Sequence, residues 1–224
     1  MTQMKIPVVR NILQANDRLA AANRKRFDDA GIFVINLMSS PGAGKTSLLE
    51  KTIDGLAGRI KMAVIEGDLQ SDFDAERIQR RGVQAVQINT EGGCHLDGNM
   101  VQIALEALNL DSVELLIIEN VGNLVCPAEF NLGEHEKVMI LSVTEGDDKP
   151  LKYPLMFQLC SALLINKVDL LPYTDCNVQK IRQSAHQLNA DQKIFELSCR
   201  TGEGLPEWLD WLEEKVRAFR KTQN

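Results

Sequence analysis

The sequence predicts an α/β protein with a three-layer, doubly wound and mainly parallel sheet, preceded by an N-terminal helical extension. Two observations carry the prediction. Short runs nearly continuous in Val, Ile and Leu alternate with longer amphipathic segments along most of the 224 residues. Strands covered by helices on both faces have this composition, because neither face is left for polar residues. The first such run leads straight into a glycine-rich turn, Ser39-Ser40-Pro41-Gly42-Ala43-Gly44-Lys45-Thr46, that opens a helical pattern. That is the strand–loop–helix unit on which parallel sheets bind phosphate.

Taken in order, residues Val8 to Ala30 place Val9, Ile12, Leu13, Leu19, Ala20 and Phe27 on roughly one helical face. Gly31 follows where a left-handed residue commonly closes a helix. Strands are predicted at Phe33–Met38, Met62–Glu66, Ala85–Ile88, Leu115–Glu119, Val138–Val143, Leu163–Asn166 and Ile194–Leu197. Helical patterns occupy Lys45–Leu56, Asp74–Arg81, Asn99–Leu108, Val178–Leu188 and Leu205–Arg220. Alternation of this kind joins parallel neighbours through right-handed crossovers. No repeat, low-complexity tract or linker interrupts it, so the chain reads as one domain over 31–224 with the helical extension at 1–30.

Composition narrows the function. Hydrophobic residues at 44% and charged residues at 25% are ordinary for a soluble globular chain. No apolar run reaches the length that spans a bilayer. A formal charge of −6 argues against a nucleic-acid partner, which selects basic faces. The polar N-terminus lacks the apolar core and cleavage site of a secretory signal. The expected location is the cytoplasm, with Cys94, Cys126, Cys160, Cys176 and Cys199 reduced rather than paired in a disulfide framework.

The turn fits G-x-x-x-x-G-K-[ST] with Ser39 in the first glycine position. Residues Ser40, Pro41, Gly42, Ala43, Gly44, Lys45, Thr46 and Ser47 form the expected nucleotide cradle. Gly42 and Gly44 let backbone N–H groups turn toward phosphate, Lys45 supplies a charge to the β and γ groups, and Thr46 offers Mg²⁺ a hydroxyl. Mg²⁺ also takes one or two carboxylates. Glu119, ending an apolar run and followed by Asn120-Val121-Gly122, is a variant of the second acidic motif, which more usually begins with Asp. Asp68, in Glu66-Gly67-Asp68, is the candidate first-switch carboxylate, and Asp74 the candidate for positioning water. The expected catalytic set is thus Lys45, Asp68, Asp74 and Glu119, with Thr46, Asp68 and Glu119 on Mg²⁺. Solvated loop acids are the alternative, strongest for Asp74.

Asn166-Lys167-Val168-Asp169 follows directly on a predicted strand. A carboxylate at Asp169 accepts from guanine N1–H and the 2-amino group, and adenine presents neither donor there, so the acid would go unpaired. Asn166 can bond the guanine edge and the Lys167 stem can cover the ring. Ser198, Cys199 and Arg200 form a loop that would close over the base. Together these motifs read as a Mg²⁺-dependent P-loop GTPase using GTP and GDP.

A second constellation lies beside it. Cys94 and His95 are adjacent after Gly92-Gly93, and Cys126 lies seven residues beyond Glu119 in the expected second switch. Thiolate and imidazole suit Zn²⁺ or Ni²⁺ better than Mg²⁺, and three ligands leave an open or shared position. Buried structural thiols with a satisfied histidine are the alternative, which spacing alone favours. Cys160 reads as core, and His135 and His186 as solvated.

At this point the chain resembles the hydrogenase nickel-incorporation GTPases, HypB. The matching stretches are Ser39–Thr46, Glu66-Gly67-Asp68-Leu69-Gln70, Cys94-His95-Leu96, Ile117–Pro127, Glu145–Pro150 and Lys152-Tyr153-Pro154. The resemblance implies a GTP-promoted homodimer that helps load nickel into a hydrogenase large-subunit precursor together with the small nickel-binding accessory protein HypA. It implies Cys94, His95 and Cys126 as the Ni²⁺ (or Zn²⁺) ligands, near a two-fold axis, with Lys149 reaching the partner's nucleotide. Some members begin with Cys-x-x-Cys-Gly-Cys or a His-rich tract, and this sequence shows neither. The three-residue cluster is therefore the expected principal metal site. The rival readings are a metal-independent regulatory switch and the urease accessory GTPase.

Overall fold

The computed structural model describes residues 8–68 and 77–223. Its strands are β1 (Phe33–Ser39), β2 (Met62–Asp68), β3 (Gln84–Asn89), β4 (Leu115–Glu119), β5 (Glu136–Ser142), β6 (Ala162–Asn166) and β7 (Lys193–Glu196). They form a seven-stranded sheet in the order β3-β2-β4-β1-β5-β6-β7. Each pairing is parallel. The strand that feeds the phosphate loop is therefore central, between β4 and β5. Its carboxyl end lies where the strand order reverses direction, the place where open α/β sheets bind ligands.

Burial on both faces explains the continuous apolar runs. Along β1, Phe33, Ile35 and Leu37 meet Leu48, Leu49, Ile53 and Leu56 of α2 (Lys45–Leu56) and Trp208, Leu212 and Val216 of the C-terminal helix Leu205–Gln223. On the opposite face Val34 joins Phe27 of α1 (Val8–Ala30) and Val101 of α3 (Gly98–Ala104). Met38 joins Met156, Phe157 and Ile181 in a further cluster. The Trp208 indole N–H donates to Thr52 Oγ1 at 2.9 Å, so the largest buried side chain brings no orphaned donor into the core.

Helix α1 docks through polar side chains as well as apolar ones. Asn16 Oδ1 accepts from Gly98 N at 2.7 Å, and its amide donates to Asn131 O at 2.8 Å. Asn23 donates to Gly98 O at 2.8 Å and to Leu132 O at 3.1 Å. These asparagines tie α1 to the start of α3 and to the backbone of residues 131 and 132. The helix closes at Gly31, whose φ is +65°.

One expectation is corrected here. His135 is not solvated: its side chain is 6% exposed. It stacks on Phe33 with centroids 5.1 Å apart and meets the edge of Phe219 at 4.3 Å. His135 Nδ1 accepts from Val34 N and Nε2–H donates to Asp28 Oδ1, both at 2.9 Å. The imidazole continues the pairing of β1 and so could not be left in water.

The predicted helix Asp74–Arg81 lies partly outside the described residues; positions 77–79 are helical. Among the described residues no helix is long and apolar enough to cross a membrane.

Candidate functional site

The phosphate loop joins β1 to α2, and its shape is fixed from β6. Gly44, at the helix N-cap, has φ +106°. A Cβ there would stand 2.4 Å from Asn166 Nδ2, so both the left-handed backbone and the close approach require glycine. Asn166 Nδ2 donates to Ala43 O at 2.9 Å, while its Oδ1 accepts from Lys167 N at 2.7 Å and Cys199 N at 3.2 Å. Lys167, itself left-handed at φ +63°, donates from Nζ to Gly42 O at 2.7 Å. Three segments far apart in sequence are thereby wired into one rim.

Ser39, standing in the first glycine position, is fully buried and accepts from Lys45 Nζ at 2.9 Å. The departure from glycine thus gives the lysine a hydroxyl partner. Ser40 donates from Oγ to Glu145 Oε2. Glu145 also accepts from Ser142 N at 2.9 Å, completing a capping box after β5. Its contact with the phosphate loop was not read from the sequence. The Ser142-x-x-Glu145 signature was visible, but nothing in it points across 105 residues to Ser40.

On the other side of the loop, Thr46 Oγ1 donates to Glu119 Oε1 at 3.1 Å. Glu119 is 8% exposed, and Glu66, its register partner on β2, is 2% exposed. A Cβ on Gly122 would lie 3.1 Å from Pro41, so the segment Glu119–Gly122 rests directly against the phosphate loop. A hydroxyl and carboxylates at adjacent strand ends are hard oxygen donors, the set that fits Mg²⁺. The structure brings Lys45, Thr46 and Glu119 together. Asp68 ends β2, with its side chain outside the description, and Asp74 lies outside the described residues.

Beyond Gly44 opens a cavity of about 360 Å³ lined by Ser47, Asn166, Lys167, Asp169, Leu170, Cys199 and Arg200. Asp169 Oδ1 accepts from Ser198 Oγ at 2.6 Å. That hydroxyl in turn accepts from Arg200 N at 3.2 Å and Thr201 N at 3.1 Å. The acid is thus held in one orientation while its edge faces the cavity. Burial pushes the Cys199 thiol up to about 11, so this residue offers packing and a backbone N–H rather than a thiolate.

The second cluster is equally local. Cys94 Sγ lies 3.1 Å from Cys126 Sγ and 3.5 Å from His95 Nδ1, and the three donor atoms fall within 4.8 Å of one another. Cys126 opens α4 (Cys126–Glu129). Asn123 Nδ2 donates to Cys94 O at 3.2 Å, tying the two loops. The His95 ring packs on Phe130 with centroids 3.9 Å apart. Burial lowers its pKa from 6.5, with Asp97 opposing, which leaves a neutral imidazole able to ligate. The Cys126 thiol is held above its ordinary range, first by its hydrogen bond with Cys94 and then by burial. Soft sulfur and nitrogen donors at an accessible surface can take Ni²⁺ or Zn²⁺ and release it again. Cys160, fully buried and pushed up to about 12 by burial, is core.

Known proteins share this fold. Residues 33–196 match the model of the CobW/HypB/UreG nucleotide-binding domain. The hydrogenase maturation factor HypB of Azotobacter chroococcum mcd 1 is 55% identical over 210 residues, covering 94% of this chain and 69% of that protein. The crystal structure of HypB from Helicobacter pylori in complex with nickel superposes with a TM-score of 0.87 at 41% identity, over 91% of this chain and 96% of that one. HypB from Archaeoglobus fulgidus gives a TM-score of 0.85 at 39% identity, over 91% and 99%. The domain match over residues 33–196 and identity spread along nearly the whole chain establish that the protein belongs to the HypB family of hydrogenase maturation factors.

Proposed function

We propose that this chain is a Mg²⁺-dependent GTPase whose nucleotide state sets the affinity of Cys94, His95 and Cys126 for nickel, the cargo destined for a nickel–iron hydrogenase. One observation carries the reading. Glu119, in contact with Thr46 of the phosphate loop, and Cys126, in contact with Cys94, belong to one short segment. A shift that accompanies the γ-phosphate therefore reaches a metal ligand within seven residues.

In this reading Asp169 selects guanine, Asn166 and Lys167 hold the base loop on the phosphate loop, and Lys45 neutralises the β and γ phosphates. Thr46 and Glu119, with Asp68, hold Mg²⁺, which when bound neutralises charge developing on the transferred phosphoryl group. Asp74 positions water for the attack. GTP favours a homodimer in which the metal cluster lies near the two-fold axis and Lys149 reaches across to the partner's nucleotide. Hydrolysis loosens that arrangement and releases nickel toward the accessory protein HypA and the hydrogenase large-subunit precursor, in the cytoplasm. Zn²⁺ fits the same donors and is the competing occupant. Residues 1–30 serve as a helical extension of the GTPase domain at 31–224.

The test is nickel affinity measured with GDP and with a non-hydrolysable GTP analogue, beside turnover in the wild type and Glu119→Gln. Equal nickel affinities and equal dimer fractions in the two nucleotide states would sink the coupling. Hydrolysis undiminished by Glu119→Gln would remove that residue from the reaction. Metal content unchanged in Cys94→Ser and Cys126→Ser would favour a plain regulatory switch.

A further inference from the structure

Asn120 sits one residue beyond Glu119, fully buried. A polar side chain there is costly unless its atoms are used, and they are. Its Oδ1 accepts from Leu96 N at 3.1 Å and from Val121 N at 2.9 Å. Its Nδ2 donates to Asn36 Oδ1 at 3.2 Å. Leu96 directly follows His95, so the first of these bonds holds the backbone of the loop that carries Cys94 and His95.

The path continues from Asn36, in the middle of β1. Asn36 Nδ2 donates to Glu134 Oε1 at 3.3 Å. Lys137 Nζ lies 3.5 Å from the same oxygen and donates to Ala128 O at 2.9 Å. Ala128 belongs to α4, the short helix that Cys126 opens. The circuit leaves one metal-bearing segment, crosses β4 beside Glu119 and β1 below the phosphate loop, and arrives at the other. Asn36, Asn120 and Glu134 are buried, and none of the side chains along the path contributes a metal donor atom.

We infer that Asn120 is a positioning residue that transmits the placement of Glu119 to the nickel ligands, a reading that rests on the coupling proposed above. The physical reason is that Leu96 is fully buried. When the tip of β4 shifts with its carboxylate, the Leu96 amide either follows the Asn120 oxygen or is left orphaned in a dry interior, which is the costlier outcome. Through Asn36, Glu134 and Lys137 the same shift loads α4 from the far side. Both thiols then move in concert, as a cluster that must open or close requires.

The experiment uses the full chain, with Ni²⁺ as probe and a chromophoric chelator as competitor. Nickel affinity is measured with GDP and with a non-hydrolysable GTP analogue, and the ratio is the readout. Allosteric couplings commonly amount to about 5- to 150-fold. In Asn120→Ala the ratio should collapse to within about twofold of one while nickel and nucleotide still bind. Lys137→Met, which removes no metal donor and no phosphate-loop contact described above, should cut the wild-type ratio at least about threefold, and it decides the matter if Asn120→Ala does not fold. A purely structural role would lower thermal stability and leave the ratio intact. A wild-type ratio that survives in folded Asn120→Ala, or in Lys137→Met where that variant decides, overturns this inference and leaves the coupling standing. A wild-type ratio of one overturns both.

Discussion

Replacing Asp169 with Asn tests the proposed guanine pocket at its most selective residue. Asp169 Oδ1 already receives Ser198 Oγ at 2.6 Å, which leaves the second oxygen and the remaining lone pairs for the donors on the guanine edge. An asparagine keeps the serine contact, so the loop should hold its shape. Its amide, however, presents N–H groups where guanine also donates. The change removes a hydrogen bond to a charged acceptor, worth about 1.5–3 kcal/mol, and sets donor against donor for the other. The expected loss is about 3–4 kcal/mol, on the order of 10²- to 10³-fold in GDP affinity. Xanthine carries a carbonyl in place of the 2-amino group, so the asparagine amide gains an acceptor and XDP should then bind more tightly than GDP. Displacement of a fluorescent guanine nucleotide by GDP and by XDP measures both. A variant that folds, keeps GDP affinity within about fivefold of wild type and gains nothing for XDP would refute the assignment of Asp169 to the base.

Three further outcomes follow from the structure. Nickel binding displaces protons from thiols, and Cys126 holds its proton above the ordinary range. Apparent nickel affinity should therefore rise with pH between 6.5 and 8.5, about tenfold per unit for each proton displaced, and a flat profile in chelator competition would contradict thiolate ligation. His135 has its pKa lowered from 6.5 by burial, with Asp28 opposing and Arg24 adding to the shift. The unfolded chain thus takes up the proton first: stability is full above about pH 6.5 and falls as pH drops below it. Thermal melts should show that slope flattened in His135→Asn, and an unchanged slope would place the acid sensitivity elsewhere. Phe27 is fully buried where α1 meets the sheet. Phe27→Ala should cost about 3–5 kcal/mol in urea unfolding of the whole domain, whereas a loss below about 1 kcal/mol would mean that α1 adds little to the fold.

The parts of the site legible in sequence are those whose chemistry is concentrated in a few consecutive residues. Ser39–Thr46 and Asn166–Asp169 each follow a strand whose apolar run announces it, so the loop position was readable along with the motif. The ligand cluster was only half readable. Cys94 and His95 are neighbours, but their meeting with Cys126 depends on the segments after β3 and β4 rising on the same side of the sheet. The buried bonding roles of Asn36 and Asn120 escaped notice because one polar residue within or just beyond an apolar strand has no periodic signature. Asn16 and Asn23 escaped, and His135 was misread, for the related reason that polar residues on helices and loops are read as solvent-facing. The short helices Cys126–Glu129, Lys149–Lys152 and Pro154–Leu159 were also missed. Proline in their first turns, which suits a helix start, reads in sequence as a loop signal.

The close approach of Gly44 to Asn166 limits how this protein can be altered. The phosphate loop and the base-reading loop look like interchangeable cassettes when written as motifs. Here the asparagine amide occupies the space that any side chain at position 44 would need, and it bonds the carbonyl of Ala43. A phosphate loop grafted from another nucleotide-binding protein would have to arrive with its own matching residue at 166. Changing the base preference by replacing Asn166 would in turn deform the phosphate loop. Neither segment can drift alone, and recombination or design that treats them as modules should yield chains that fold yet bind no nucleotide.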